Sequence, residues 1–211
     1  MSAPAPDPGR PQAQRAVADI LHLPVLRALS ERSLVHAGES LSRLLGHGVR
    51  LSASGVHLLP VEELPALVAN VAPGSVGGLQ FQITGEASGS LVILFPMPTI
   101  HRMLEALLGR SAAVEAFTEM ERSAIREIGN VLASSFLSEL GDLTQRRFLP
   151  SPPRILLDDL QPVMAETVVS LARLGPQVAV VQGLFEDPVQ QIQGQFFILP
   201  EMDGRTGGCQ P

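Results

Sequence analysis

The sequence predicts an α+β domain made of two similar halves, in which a mainly antiparallel sheet carries two long helices. Long stretches with apolar residues at helical spacing alternate with short β-rich runs. Neighbouring β-rich runs are joined by turn residues, as in hairpins. Both hairpins end in similar sequences, residues 89–96 and 194–200, which lie roughly 100 residues apart and indicate a pseudo-twofold duplication.

Composition limits the chemistry that this chain can perform. Its 211 residues are 45% hydrophobic, which is enough to bury a core, and the formal net charge is −6. This acidic balance argues against nucleic acid and against a polybasic membrane surface. All 15 basic residues are Arg, and Lys and Tyr are absent, which excludes a Schiff-base lysine and a phenolic acid. Any chemistry must therefore come from few residue types.

Expectations about location and cofactors follow from missing features. Cys209 is the single cysteine, so no disulfide framework is expected, and a reducing cytoplasm is the default. The start lacks a signal-peptide pattern, and the longest apolar run is far shorter than the roughly 18 residues of a membrane span. The five histidines have no metal-ligand spacing. We expect a cytoplasmic protein with no membrane insertion and no metal of its own.

The first half is predicted to follow a disordered arm. Residues 1–17 lack periodicity, so one domain is expected over 18–200, with halves 18–110 and 117–200 and a flexible tail at 201–211. One or two helices cover residues 17–45, with Pro24 as a break or first-turn residue and Gly46 as the stop. Strands follow at 49–59, 76–84 and 88–95. Thr99 is expected to cap a helix over 100–108 that ends at Gly109.

The second half repeats this plan. A helix is predicted over about 118–140, followed by strands at 154–157, 161–171, 177–185 and 193–199. No counterpart of the helix at 100–108 follows the last strand.

The helix of the second half carries a narrow polar stripe. Thr118 and Glu121 have the spacing of a capping box, which sets the start of the helix. At about 100° per residue, the polar side chains fall within a ribbon about 60° wide, and the apolar residues Ile125, Ile128, Leu132 and Phe136 lie opposite. Gly129 is expected to leave room beside the ribbon for another backbone. The ribbon consists of Ser123, Glu127, Asn130 and Ser134. Helical spacing alone favours an ordinary solvated face, because any surface helix carries polar residues on its outer side.

The spacing of four residues resembles a known signature. Ser123-x3-Glu127-x2-Asn130, followed by 22 residues and Pro153, resembles the motif of the CheC/CheX/FliY family of chemotaxis phosphatases. The similarity extends over about residues 20–200. It implies a CheC-like duplicated domain with one intact motif.

Family members often carry a second copy of the motif, and here the first-half copy is degenerate. Ala28 stands where Glu is expected, Glu31 where Asn is expected and Ser54 where Pro is expected. The separations from Ala28 to Glu127 and from Ser54 to Pro153 are both 99 residues. The first half is therefore expected to keep the scaffold without the chemistry.

The resemblance implies hydrolysis of the aspartyl phosphate on a CheY-like receiver domain. Asn130 would position the attacking water, and Glu127 would engage the receiver's lysine. Ser123 and Pro153 would shape the surface. Mg²⁺ would come from the receiver, so the chain needs no cofactor of its own.

An adaptor without catalytic activity remains the alternative. The middle domain of the flagellar switch protein FliM resembles this fold, and CheC-type proteins can bind the deamidase CheD. Retention of the four motif residues favours the phosphatase.

Overall fold

The computed structural model describes residues 23–71, 76–109, 117–157, 168–169, 172, 176–187 and 192–200. The predicted arm at 1–17 and the predicted tail at 201–211 lie outside these residues. The helices are α1 (Leu23–Leu45), α2 (Leu64–Val71), α3 (Met97–Leu108) and α4 (Glu119–Thr144), and a 3₁₀ turn covers Val61–Glu63. The strands are β1 (Arg50–Pro60), β2 (Val76–Gly85), β3 (Gly89–Pro96), β4 (Phe148–Pro150), β5 (Arg154–Leu157), β6 (Gln177–Asp187) and β7 (Ile192–Pro200).

These strands form one seven-stranded antiparallel sheet in which the two halves exchange their first strands. The order is β1-β6-β7-β3-β2-β4, and β5 also pairs with β2. β1 of the first half therefore pairs with the hairpin of the second half, and β5 of the second half pairs with the hairpin of the first. The two hairpins meet in the middle, where β3 pairs with β7. Neither half can complete its sheet alone.

The register of the two exchanged pairs agrees with the pseudo-twofold duplication. In one exchanged pair Leu58 lies opposite Ala179, and in the other Leu157 lies opposite Gly77. Leu58 and Leu157 are separated by 99 residues, and their partners Gly77 and Ala179 by 102, both close to the offset of roughly 100 residues that the sequence predicts.

The two long helices lie side by side on one face of the sheet, as predicted. Apolar residues of α1, α3 and α4 bury this face together with the inward side chains of the strands. The other face is covered by the 3₁₀ turn and α2, which pack on a smaller apolar cluster that includes Leu64, Val68, Val180 and Phe197. Helix α4 thus packs on the sheet with one side and exposes the other.

The structure decides one local prediction that was left open and corrects others. Residues 23–45 form one helix with Pro24 in the first turn, where a missing N–H costs nothing. Thr99 is not a cap: α3 begins at Met97, and the buried Thr99 hydroxyl accepts a hydrogen bond from the Gln193 N–H at 3.4 Å. Helix α2 and strand β4 were not predicted.

The strand expected at 161–171 is wrong where it can be checked. Val168 and Val169 are helical, and the rest of that segment, apart from these two, lies outside the described residues. None of the helices in the described ranges is long and apolar enough to cross a membrane.

Candidate functional site

The start of α4 is held by the predicted capping box. The Thr118 hydroxyl accepts from the Glu121 N–H at 3.3 Å, and the Glu121 carboxylate accepts from the Thr118 N–H at 2.7 Å. The Thr118 hydroxyl also donates to the same carboxylate at 2.8 Å. Glu121 is fully buried, so these bonds are shielded from water. They set where the helix begins and hence which face its later residues present.

The polar stripe of α4 faces away from the sheet. Ser123, Glu127 and Ser134 are exposed and Asn130 is partly exposed. The apolar residues on the other side are all buried in the core: Ile125, Ile128, Leu132 and Phe136. Helical spacing therefore predicts this orientation correctly.

Glu127 and Asn130 are neighbours on this stripe and are free to meet a partner. Residues three apart lie side by side on a helix surface. Within the part of the chain that the structure describes, no hydrogen bond or ion pair engages either side chain. A carboxylate and a carboxamide thus lie next to each other with their hydrogen-bonding groups available to solvent or to a partner.

Gly129 does not provide space for a partner's backbone, contrary to expectation. It is buried and faces the sheet, where an added Cβ would lie 2.9 Å from a Leu79 methyl carbon and 3.1 Å from the Phe81 ring. Its absent side chain lets α4 approach β2 closely. Gly129 therefore affects how far the neighbouring Asn130 lies from the sheet.

Pro153 lies at the sheet edge beside this part of α4. Gln82 exchanges two hydrogen bonds with Ser151, and Gln80 pairs with Arg154. Between these pairs β2 has one residue, Phe81, while the edge strand has two, Pro152 and Pro153. This is a β-bulge, a position where a proline without an N–H is tolerated. Phe81 also packs under Gly129, so it links the Pro153 bulge to the turn of α4 that carries Asn130.

Charged residues border the stripe on its N-terminal side. Arg126 Nη1 and Glu119 Oε1 form an ion pair of 2.9 Å, and Arg122 Nε donates to the Phe117 carbonyl at 3.2 Å. The hydrogen bond from Arg126 and its positive charge hold the pKa of the Glu119 carboxyl below its usual value. Neither Glu119 nor Arg126 belongs to the stripe predicted from the sequence, although their seven-residue separation places them on one side of the helix.

The equivalent surface of the first half has different chemistry. Ala28 and Glu31 are exposed on α1, and the Glu31 carboxylate is paired with Arg27 Nε at 3.0 Å. Ser54 sits in a bulge of β1, between Ala53 opposite Gly183 and Gly55 opposite Gln182, and its hydroxyl donates to the Gln182 carbonyl at 3.2 Å. The backbone arrangement is therefore present twice, and the side chains of the motif once.

No metal site competes with the stripe in the described part of the chain, because no group of three or more His, Cys, Asp or Glu residues there could hold an ion. A groove of about 1030 Å³ lies elsewhere, between α1, β1, the start of α3 and the β6–β7 end, and includes none of the stripe residues. Beside it, His47 Nδ1 pairs with the buried Asp187 at 2.8 Å.

Comparisons with known proteins agree with the resemblance inferred from the motif. A family model described as the CheC-like family matches residues 120–157, a segment that contains all four motif residues. The chain is 28% identical over 184 residues to the CheY-P phosphatase CheC of Bacillus subtilis (strain 168), covering 85% of this chain and 88% of that protein.

Solved structures show the same fold. Thermotoga maritima FliY matches with a TM-score of 0.63 and 19% identity, covering 86% of this chain and 90% of the other. The FliM middle domain from Vibrio alginolyticus matches with a TM-score of 0.55 and 17% identity, covering 82% of this chain and 91% of the other. The resemblance predicted from four residues is thus confirmed at the level of sequence and fold.

Proposed function

Because this chain is CheC-like in sequence and fold, we propose that it is a phosphatase that hydrolyses the aspartyl phosphate of a CheY-like receiver domain. The observation that carries the proposal is the pair of Glu127, which is exposed, and Asn130, which is partly exposed, on one face of α4. Both side chains are free of intramolecular hydrogen bonds in the described structure, and the helix that carries them is capped at Thr118 and packed closely on β2 at Gly129.

The reaction needs little from this chain. An acyl phosphate already has a good leaving group, and the receiver would supply Mg²⁺ and a lysine to neutralise the phosphoryl oxygens. What remains is to hold a water molecule in line with the phosphorus atom. The Asn130 carboxamide has an acceptor oxygen and two N–H donors on a short stem, so it can orient such a water.

Glu127 would bind rather than react. Its carboxylate is one helical turn from Asn130 and would pair with the receiver's lysine, which aligns the two proteins so that Asn130 enters the receiver's site. Ser123 and Pro153 would border the contact. Ser123 is small and exposed, and Pro153 stiffens the edge strand at the bulge beside α4.

The test measures phosphate loss from CheY-like receivers of the same genome, phosphorylated with acetyl phosphate and then freed of excess donor. Wild-type protein should accelerate hydrolysis of at least one receiver, and Asn130→Ala should reduce the acceleration about 100-fold, because an unpositioned water loses the proximity effect. Ser134→Ala, on the same exposed face one turn further along, is the matched control and should keep full activity. No acceleration by the wild-type protein, or full activity in Asn130→Ala, would refute the proposal.

A binding protein without catalysis is the second candidate. The structural similarity to the FliM middle domain favours it, because that match covers most of this chain. On this alternative the protein would bind a receiver, a flagellar-switch protein or CheD, and wild type and Asn130→Ala would leave the hydrolysis rate equally unchanged.

A further inference from the structure

We infer that Arg126 is a docking residue for the phosphorylated partner, and that Glu119 weakens this docking by holding the guanidinium in an internal ion pair. The inference rests on the proposed function, because it assigns a partner-binding role to residues that border the same stripe. It concerns the affinity and the salt dependence of the encounter, not the chemical step.

Arg126 is adjacent to two polar residues of the stripe. It lies three residues after Ser123 and four residues before Asn130, and these spacings are contacts along a helix surface. Its side chain is 41% exposed. Alternation along β5 places Arg154 on the opposite face of the sheet, since Ile155 packs against the helix-side cluster and Leu156 against the other. Arg126 is thus a cation that a partner seated on the stripe would meet.

The ion pair keeps Arg126 pointed away from Asn130. Glu119 lies seven residues earlier, about 10 Å along the helix axis, and its carboxylate binds the guanidinium at 2.9 Å. The side chain of Arg126 therefore runs past the turn of Ser123 toward the start of α4. Ser123 is small enough to leave this path open.

Charge complementarity indicates which partner would dock beside Arg126. The chain has a net charge of −6, so it repels acidic partners at long range. The aspartyl phosphate and the carboxylates that hold Mg²⁺ would be only partly neutralised by that ion and the receiver's lysine, so negative charge would remain at the point of contact. A cation beside Asn130 would attract this charge, and Glu119, which is 79% exposed, would both repel it and compete for the guanidinium.

The inference predicts effects of opposite sign for the two partners of one ion pair. Arg126→Ala should raise KM for the phosphorylated receiver about 2- to 5-fold, and Glu119→Gln should lower it by a similar factor, with kcat unchanged in both. Arg126→Lys keeps the charge and should retain most of the affinity. At about 1 M salt the variants should converge, because the Debye length falls to about 3 Å.

If the Arg126–Glu119 ion pair only stabilised the helix, the two variants would behave differently from this prediction. In that case either substitution would weaken docking in the same direction, and a fall in affinity for Glu119→Gln would overturn the inference. So would an unchanged KM for Arg126→Ala. In the double variant, the benefit of Glu119→Gln should shrink, because the competing carboxylate has lost its target.

The first half supplies a matched control. Arg27 and Glu31 form an exposed ion pair of 3.0 Å on α1, similar in chemistry and distance. Arg27→Ala and Glu31→Gln should leave KM unchanged. Equal shifts at this pair would mean that net charge alone explains the effect, which also overturns the inference.

Failure of the inference can be separated from failure of the proposed function. Binding of each variant to a beryllofluoride-loaded receiver, a stable mimic of the acyl phosphate, is measured alongside turnover. Wild-type acceleration with no affinity change in Arg126→Ala rejects the docking role alone. Absence of acceleration by the wild-type protein rejects the phosphatase, whereas opposite shifts in the dissociation constant would still support Arg126 as a docking residue.

Discussion

Ser54 and Pro153 occupy corresponding positions in the two halves of the molecule, each in a β-bulge of an edge segment of the sheet. β1 shifts register at Ser54, between the pairs Ala53–Gly183 and Gly55–Gln182. The second-half bulge lies 99 residues later, where Pro152 and Pro153 face Phe81. The duplication has therefore kept the bulge in both halves, although the proline is present in one.

Replacing Pro153 should preserve this bulge. Ser54 shows that a serine fits the equivalent backbone, where its hydroxyl donates to a neighbouring carbonyl. Pro153→Ser should therefore cost only about 0.4–1 kcal/mol, mainly because the unfolded chain gains freedom. Urea denaturation measures this loss. A loss well above 2 kcal/mol would show that the two bulges are not equivalent.

The two helices should differ sharply in their effect on turnover. Glu127→Gln removes the charge proposed to pair with the receiver's lysine and should raise KM by about tenfold or more, since a charge-assisted contact is lost. Glu31→Gln changes a carboxylate on α1 that already pairs with Arg27 and should leave both constants unchanged. Steady-state kinetics with the phosphorylated receiver would compare kcat and KM of the two variants. A strong effect at Glu31 would contradict the view that the first-half copy is inactive.

The capping box should contribute measurably to stability. Thr118→Ala removes both hydrogen bonds made by its hydroxyl, including the cap to the Glu121 N–H, and should reduce the free energy of unfolding by about 1–2 kcal/mol. Ser134→Ala, in the exposed middle of the same helix, should be neutral or slightly stabilising because alanine favours the helix. Thermal and chemical denaturation would show the difference, and equal stabilities would refute this role of the cap.

Gly129 should not accept a branched side chain. Gly129→Val would force new methyl groups against Leu79 and Phe81, which are fully buried, and should destabilise the fold by about 1–3 kcal/mol. Ser134→Val carries the same β-branched cost in the helix without this clash. If the two variants lost equal stability, the close approach of α4 to the sheet would not be the cause.

The ion pair at the start of α4 should be visible in a titration. Arg126 lowers the pKa of Glu119, so the pair stabilises the fold above the carboxyl's unfolded pKa, and this contribution is lost as the pH falls through the lowered folded value. In Arg126→Ala the Glu119 pKa should rise toward its ordinary value. Carboxyl-carbon NMR titration measures it, and an unchanged pKa would contradict the pairing in solution.

Local signals account for the elements that could be predicted. Helical spacing and the capping box depend on residues within a few turns of each other, so α1, α4 and the outward stripe were predictable. The prediction for Thr99 was wrong because a threonine before an apolar run is also typical of a cap, whereas here its hydroxyl accepts a hydrogen bond from β7. Gly129 was misjudged for a similar reason, since its packing partners come from β2, far away in the sequence.

Local patterns in the sequence are enough to show which residues share the exposed face of α4 and that the chain consists of two related halves. Both facts follow from spacing along one strand or helix and from internal similarity. The folded structure was needed to show that the halves exchange their first strands, that Pro153 lies in a bulge beside the Asn130 turn, and that Glu119 restrains Arg126. The first two arise from strand pairings between distant segments, whose partners local periodicity does not specify. The ion pair depends on the direction of two long side chains, which spacing allows but does not impose.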